Sequence, residues 1–577
     1  MAMPTEPIIM TFTGGINNRH TPLELFTRKQ SEVVNLVNAD TTLLGRIKLL
    51  LPLSALNSTP VSSIHSIIRA NDWVFVGAST TLYYCNASAV LIPIIPGLSG
   101  NPICFAHAGN WVYLMDGTYK KSVYIGGATP TACDWGQAVP TAPPTVADST
   151  EAGNPDGTYS CYYRYKITLP DASIIFTGLS PVGSVTVVTN KIAWSDLVHS
   201  TFAGATTKQI ELYRTKAGWA GTYLIATIDE GTTTYSDDVD DTPAQASTEF
   251  EEDGYYPPPA GDLCLYHPGS DRTWVADGNN AYWSEPAMYN IFIYDETADE
   301  YTNVNSVFLD GENITSMLVF DEQVYFASKK TWRRLRGTNP DYWTFEDISL
   351  CIKGPAHFRL PVTTNWGVIY PGNDKYFWLF NGFETNRIID HFVFSTTPST
   401  EGHATYDGRF IRLFYEDATY PLLIIDFLGF PGRAPRVIQS TQDMTASFYD
   451  KAENALYYGD ASGYLRYGQD TSTEVTMTVT LGEIPIDRLI NLGEMSSLLI
   501  QANTDGENLA ITPVQDGESQ TPLANVNTTS LQREVLPLPL NQYRALSFTL
   551  SITGAGTDIE LREPWLLRKE DDEDDAS

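Results

Sequence analysis

Seven aromatic hairpins recur along this chain, and their spacing constrains the fold more than any other feature. They are DWVFVGASTTLYYC from Asp72, NWVYLMDGTYKKSVYI from Asn110, RTWVADGNNAYWSE from Arg272 and EQVYFASKKTWRRLRG from Glu322. NWGVIYPGNDKYFWLFNG from Asn365, GRFIRLFYEDATYPLLIIDF from Gly408 and NALYYGDASGYLRYG from Asn454 complete the set. Each is an aromatic and β-branched strand, a short polar or Gly-containing turn, and a second strand rich in Tyr, Trp or Leu. Successive starts lie 38 to 50 residues apart, with one gap of 162. A four-stranded propeller blade occupies that period. One such sheet cannot bury both faces alone, whereas radial stacking buries each against its neighbours. A series of β-sandwiches would also repeat hairpins, but the steady period favours a β-propeller of about seven blades. No signature dipeptide marks each blade.

The long gap predicts an insertion at 140–259, bounded by Pro140, Pro143 and Pro144 on one side and Pro257–Pro259 on the other. Between them Thr158–Leu169, Gly183–Thr189, Lys208–Thr215, Thr222–Ile228 and Thr232–Asp237 alternate as strands, the texture of an immunoglobulin-like or fibronectin type III-like sandwich. Without about 118 inserted residues the gap shrinks to about 44, in line with the others. After Gly468 the grammar changes, and 470–568 reads as a second small β-sandwich. The expected order is therefore an N-terminal arm (1–45), propeller (46–139), insertion (140–259), propeller (260–469), C-terminal sandwich (470–568) and acidic tail (569–577). Helical patterns are nearly absent; Pro22–Val37 is the best candidate. In an oligomer the arm is expected to be unpaired within its own chain.

Charge narrows the functions. The chain has 69 acidic and 36 basic residues, a net charge of -33. Non-specific nucleic-acid affinity needs clustered Lys and Arg, so ordinary DNA binding is disfavoured. An acidic wall past which DNA slides without sticking has the right sign, although acidity also simply keeps a large β protein in solution. The six cysteines (Cys85, Cys104, Cys133, Cys161, Cys264, Cys351) form no CxxC pair and read as buried thiols of a reducing compartment. The N-terminus lacks the pattern of a secretory signal, and the apolar runs are too short to cross a bilayer.

The chain carries no HExxH, GxSxG or GxxxxGK[ST] motif. Its histidines (His20, His65, His107, His199, His267, His357, His391, His403) never fall at i, i+2 or i+4 from one another, so no zinc site is signalled. Asp237, Asp238, Asp240 and Asp241 are dense enough to suggest calcium, but lack the Gly and bidentate Glu of an EF-hand loop and read more simply as a solvated turn. Trp73, Trp111, Trp283 and Trp378 offer sugar-stacking faces or, within blade strands, inter-blade packing. Lys329, Lys330, Arg333, Arg334 and Arg336 form a basic cluster suited to a phosphate or an acidic partner, or to an ordinary strand with alternate outward positions. No catalytic residue, cofactor site or metal site is assigned, and the chain is not expected to be an enzyme.

Three regions carry a resemblance. Thr13–Asp40, with Gly14, Gly15, Ile16, Asn17, Pro22 and Asn35–Asn38, is similar to the opening of tail proteins of short-tailed bacteriophages. YRYKITL, ELYRTKAG with Tyr213, Arg214 and Thr215, and TTTYSDDVDD resemble the sandwich inserted between propeller blades in phage tail nozzle or hub proteins. Asp271–Asn290, with Ser284, Glu285 and Pro286, resembles the propeller strand that follows it there. The resemblance implies a structural virion protein assembled in the host cytoplasm and placed at the tail tip. It would form a ring, usually homo-hexameric, that docks under a tail adaptor protein, supports tail fibres or spikes, and gates and conducts genomic DNA without specific binding. Two alternatives stand beside it. A carbohydrate-binding or carbohydrate-cleaving propeller would need a pocket with paired carboxylates and exposed aromatics, and a surface adhesin would need an export signal.

Overall fold

In the computed structural model, all seven hairpins are the two middle strands of four-stranded antiparallel blades, six of them separate sheets and the sixth in chain order part of a larger one. The sheets begin with Ile64–Ala70, Cys104–Ala108, Leu263–His267, Ser316–Phe320, Val362–Thr364, His403–Tyr406 and Ala446–Asp450. The seventh takes its fourth strand, Leu53–Ala55, from the start of the propeller sequence. The chain is an all-β protein built on a β-propeller, with an inserted and a C-terminal β-sandwich. The structure describes residues 8–9, 14–19, 32–41 and 46–568, apart from 246, 248, 251–254, 296–297, 338, 349, 395–401, 416–418, 486–494, 516–517 and 539–544. Among these, the one α-helix is Asp241–Gln245, and no helix is long and apolar enough to cross a membrane.

Contacts divide the chain into two units: 68–328 with 332–347, and 1–67 with 329–331 and 348–577. In the first, Cys104–Ala108 packs on Leu263–His267, and that strand on Ser316–Phe320, so each blade lays its first strand against the next. Aromatic rings fill the space between the third and fourth sheets. Trp274 lies 4.9 Å from Trp343 and 5.8 Å from Phe326, and Trp283 lies 5.1 Å from Trp343. The insertion forms two sheets. Gly157–Thr168 is the central strand of the larger, burying Tyr159, Cys161, Tyr163, Tyr165 and Ile167 on one face through strict alternation. Thr145–Ala152, Asn190–Ser195 and Tyr235–Asp237 form the smaller.

The second unit repeats the stacking: Val362–Thr364 packs on His403–Tyr406, and that strand on Ala446–Asp450. Here the sixth blade does not end at its fourth strand. Arg436–Ser440 pairs in parallel with Asn35–Val37, which pairs antiparallel with Val475–Thr480 of the C-terminal sandwich. The result is one ten-stranded sheet running from blade to sandwich. The other sandwich sheet takes in Ile8–Ile9, Ala39–Asp40 and Arg46–Leu49. The described part of the N-terminal arm is therefore paired within its own chain, against the expectation of a free arm. Nor is it helical where described. Glu32–Val33 and Asn35–Val37 are strands, because Val33, Leu36 and Val37 are buried between two sheets. Residues 20–31 and the acidic tail 569–577 lie outside the described residues.

Polar contacts lock this junction. Asn38 adopts a left-handed backbone (φ 50). Its side chain donates to Thr441 Oγ1 and the Thr476 carbonyl, each at 2.9 Å, and accepts from Ser440 Oγ at 2.8 Å. Thr41 Oγ1 donates to Asp426, which is fully buried and gripped by Arg409 through two bonds of 2.9 and 2.8 Å. Burial alone would raise the Asp426 carboxyl, but Arg409 and the Leu428 N–H outweigh it and hold the group below the usual carboxylate range. Gly15 explains the Gly-Gly-Ile element: its φ is +81, and a Cβ there would lie 2.7 Å from the Val437 nitrogen.

Asp426→Ala strands the buried guanidinium of Arg436 and releases Arg409. It is expected to cost about 3–5 kcal/mol, read as a lower urea midpoint. Thr41→Val, which removes one hydrogen bond, is expected to cost about 1 kcal/mol. Equal costs would show that the carboxylate does not organise the junction.

Candidate functional site

The acidic cluster of the insertion closes around a buried arginine. Arg214 lies in Thr207–Thr215, where its neighbours Leu212 and Tyr213 are buried, and its own side chain is wholly buried. Its Nε donates to Asp237 at 2.7 Å, and its Nη1 to Asp241 at 2.9 Å and to the Thr215 carbonyl at 3.1 Å. Its Nη2 donates to the Val239 carbonyl, and the guanidinium covers the Tyr159 ring at 4.5 Å. Burial pushes Asp237 up despite the neighbouring cation. Asp238 instead accepts from the Asn154 N–H, and Asp240 from the Asp241 N–H. The solvated-turn expectation is thus half right. Asp238 and Asp240 organise turns, while Asp237 and Asp241 neutralise a core cation.

This box also sets a hairpin tip. Asp241 accepts from the Ala217 N–H at 3.2 Å, and a Cβ on Gly157 (φ +134) would lie 2.7 Å from that of Ala217. The tip presents Trp219, 61 % exposed, with the Lys216 ammonium 5.0 Å from its ring. Sequence reading passed over Trp219 because it sits in a Gly-flanked turn, outside the strand pattern it tracked. The four tryptophans it named differ. Trp111 and Trp283 are buried, Trp111 donating to Asp171 at 2.8 Å. Trp73 packs edge-on against Tyr84, and Trp378 donates to Asp374 at 3.0 Å.

Most of the basic cluster is neutralised across the strand pair Trp332–Arg336 and Thr344–Asp347. Arg333 is buried and holds Asp347 through bonds of 2.6 and 2.8 Å, and Arg334 and Arg336 share Glu346, each at 2.7 Å. Lys329 and Lys330 sit in the preceding turn. Three of the five cations are therefore committed to two carboxylates of the same sheet, which leaves little charge for a phosphate.

Of the described histidines, three gather around Arg359. Arg359 Nη2 donates to the carbonyls of His65 (2.7 Å) and Thr445 (3.1 Å), and its own carbonyl accepts from the Ala404 N–H beside His403. Burial, then the charges of Arg359 and Lys329, lowers His357 to about 4. His403 is fully buried against Phe414 and is lowered well below its ordinary value, again by burial and Arg359. Histidines held this low supply no base matched to neutral pH. His107, His199 and His267 bond the Gly109, Thr232 and Glu322 carbonyls. His391 is buried, and His20 lies outside the described residues. Among the described residues, no group of three or more His, Cys, Asp or Glu is arranged to hold a metal ion.

No family model matches this chain, and no curated protein matches it. Among solved structures, the computationally designed Ika8 protein is similar at 10% identity over 73% of this chain and 99% of that one, with a TM-score of 0.34. The Pan2 WD40 domain of Neurospora crassa is similar at 10% identity over 70% of this chain and 88% of that one, with a TM-score of 0.24. Likenesses at these scores carry no argument about function.

Two outcomes follow from the buried charges. Arg214→Met leaves the buried Asp237 carboxyl without a partner and is expected to cost about 3–5 kcal/mol, whereas the double variant with Asp237→Leu recovers most of the loss. Paired denaturation curves decide this; a double variant no better than the single would show that packing, not charge, sets the cost. For His357, the unfolded side chain titrates near 6.5 and the folded one near 4. The unfolded state binds the extra proton in that window, so stability falls as pH drops through it, by up to about 1.4 kcal/mol per pH unit. His357→Gln should flatten that slope in urea midpoints measured from pH 7 to 4, and an unchanged slope would refute the assignment.

Proposed function

We propose that this protein is a structural subunit of a short-tailed phage virion, a nozzle or hub at the distal end of the tail. The observation that carries the reading is the Arg214–Asp237 bond. It physically joins the two short motifs, ELYRT and TYSDD, on which the resemblance to the inserted nozzle sandwich rests. The two motifs are thus parts of one device inside a sandwich that leaves and re-enters a propeller between its second and third sheets. The Gly15–Asn18 element, by contrast, is docked within its own chain, which an oligomer does not require and which a monomeric lectin or enzyme would share. Asn18 exchanges bonds with the Val393 backbone at 2.7 and 2.9 Å.

On this reading the work is mechanical. Copies assemble into a ring, of which six is the expected number, beneath an adaptor protein. The acidic surface lets DNA pass without trapping, since like charge removes the counterion-release gain that binds duplexes to basic grooves. Fibres or spikes attach outside.

The test is the native mass of the purified protein, read beside electron micrographs of virions that contain it. A ring whose dimensions match the tail tip supports the reading. Absence of the protein from virions, together with binding or cleavage of a polysaccharide, would replace it with the carbohydrate alternative, for which the exposed Trp219 is the first residue to mutate.

A further inference from the structure

Blade stacking brings two of the six cysteines together. Cys104 opens the first strand of the second sheet, and Cys264 lies in the first strand of the third. The sulfur of Cys104 lies 3.3 Å from both the carbonyl oxygen and the backbone nitrogen of Cys264. The sulfur of Cys264 lies 3.2 Å from the Cys104 carbonyl. Each thiol thus reaches across to the other's backbone. Both are buried, at 8% and 4% exposure. A cysteine used only as a small apolar core residue has no need of such a reciprocal arrangement. Cys133 and Cys85, by contrast, donate to carbonyls of Thr131, Gly204 and Asn86, with no second thiol beside them.

We propose that Cys104 and Cys264 form a redox staple: a dithiol that a small-molecule disulfide oxidises to an intrachain disulfide, tying the second and third sheets across the root of the inserted sandwich. The insertion leaves the propeller after the second sheet and returns before the third, so the bond would close the loop that contains it. In the first step the Cys104 thiolate attacks one sulfur of the oxidant, breaking its S–S bond and releasing one thiol. In the second, Cys264 gives up its proton and attacks the Cys104 sulfur, releasing the other thiol. The protein loses two electrons and two protons, and the oxidant gains both. The hydrogen bond from Cys264 draws Cys104 down, while burial pushes Cys264 up, which makes Cys104 the attacking and Cys264 the resolving thiol. Because neither is exposed, exchange requires a transient opening of the seam. The dithiol is thereby shielded during folding in a reducing compartment and closes slowly in an oxidising one. This inference does not depend on the nozzle reading.

The experiment uses the full chain incubated with oxidised glutathione. The expected result is an intact mass lower by about 2 Da, reversed by a phosphine reductant, and one cross-linked peptide joining Cys104 to Cys264 in a non-reducing digest. The oxidised protein should also melt at a higher temperature, and Cys104→Ser and Cys264→Ser should each abolish the cross-link. Should the serine variants fail to fold, the wild-type peptide map decides alone. Alkylation of both residues in guanidine after oxidation, or a cross-link that joins other cysteines or separate chains, would overturn the proposal.

Discussion

The strand Asn35–Val37 carries the unit that contains residues 348–577. A sheet edge exposes unpaired N–H and C=O groups, and both the sixth blade and the C-terminal sandwich end in such an edge. Asn35–Val37 satisfies both, pairing in parallel on one side and antiparallel on the other. Its apolar residues Leu36 and Val37 are buried, Leu36 in the same core as Ile438, Val479 and Leu550. The described residues among the first forty are thus structural. Blade and sandwich share one hydrogen-bonded sheet because a segment distant in sequence completes it. That closure brings together residues some 400 positions apart, so it adds long-range loop entropy to the folding problem that the local hairpins avoid.

Charge is handled differently inside and outside. With nearly two acidic residues for each basic one, few cations are available, and the structure spends several of them in the core. Arg214, Arg333 and Arg436 are all buried, each beside a carboxylate. The guanidinium suits this task because its planar fork satisfies several acceptors at once, as Arg214 does with two carboxylates and two carbonyls. The consequence is an outer surface still richer in uncompensated acid than the composition suggests. A basic run in the sequence, such as Lys329–Arg336, is correspondingly poor evidence for an anion site in a β protein, because cross-strand acids on the next strand reach it.

Much of the fold was legible because hairpins are local. The aromatic pairs around Trp73, Trp111 and Trp332 are encoded within fifteen residues and appear as the middle strands of their sheets. The outer strands were not legible. Val304–Ser306 and Thr385–Arg387 are three residues long and half polar, since an outer strand is wetted on one side and has little apolar pattern to read. The closing strand Leu53–Ala55 and the bridge Asn35–Val37 were missed for another reason: their partners lie at the far end of the sequence, and no local period records a non-local pairing. The candidate residues divide the same way. That Asp237 needs a cation could be inferred from its place in a strand-ending YSD, but that the cation is Arg214 follows only once two strands are laid side by side. Trp219 was hidden because a turn residue has no periodic signature at all.

The two sandwiches are attached by different physics. The C-terminal one is joined to its blade through Asn35–Val37, by one parallel pair, Val37 with Gln439, on the blade side and three antiparallel pairs on the sandwich side. The inserted one is rooted by prolines and a handful of separate contacts. Trp111 Nε1 donates to Asp171 at 2.8 Å, Lys120 to the Pro258 carbonyl, and the Ala203 N–H to Asp134 at 2.8 Å. Lys120 is lowered to about 8 by burial, so that even this ammonium is held at a cost. Separate side-chain contacts can be broken one at a time, whereas a shared sheet opens cooperatively. The insertion leaves and re-enters the chain of blades at the seam between the second and third sheets. Cys104 and Cys264 lie on that seam, so a covalent bond between them would close the loop that contains the insertion.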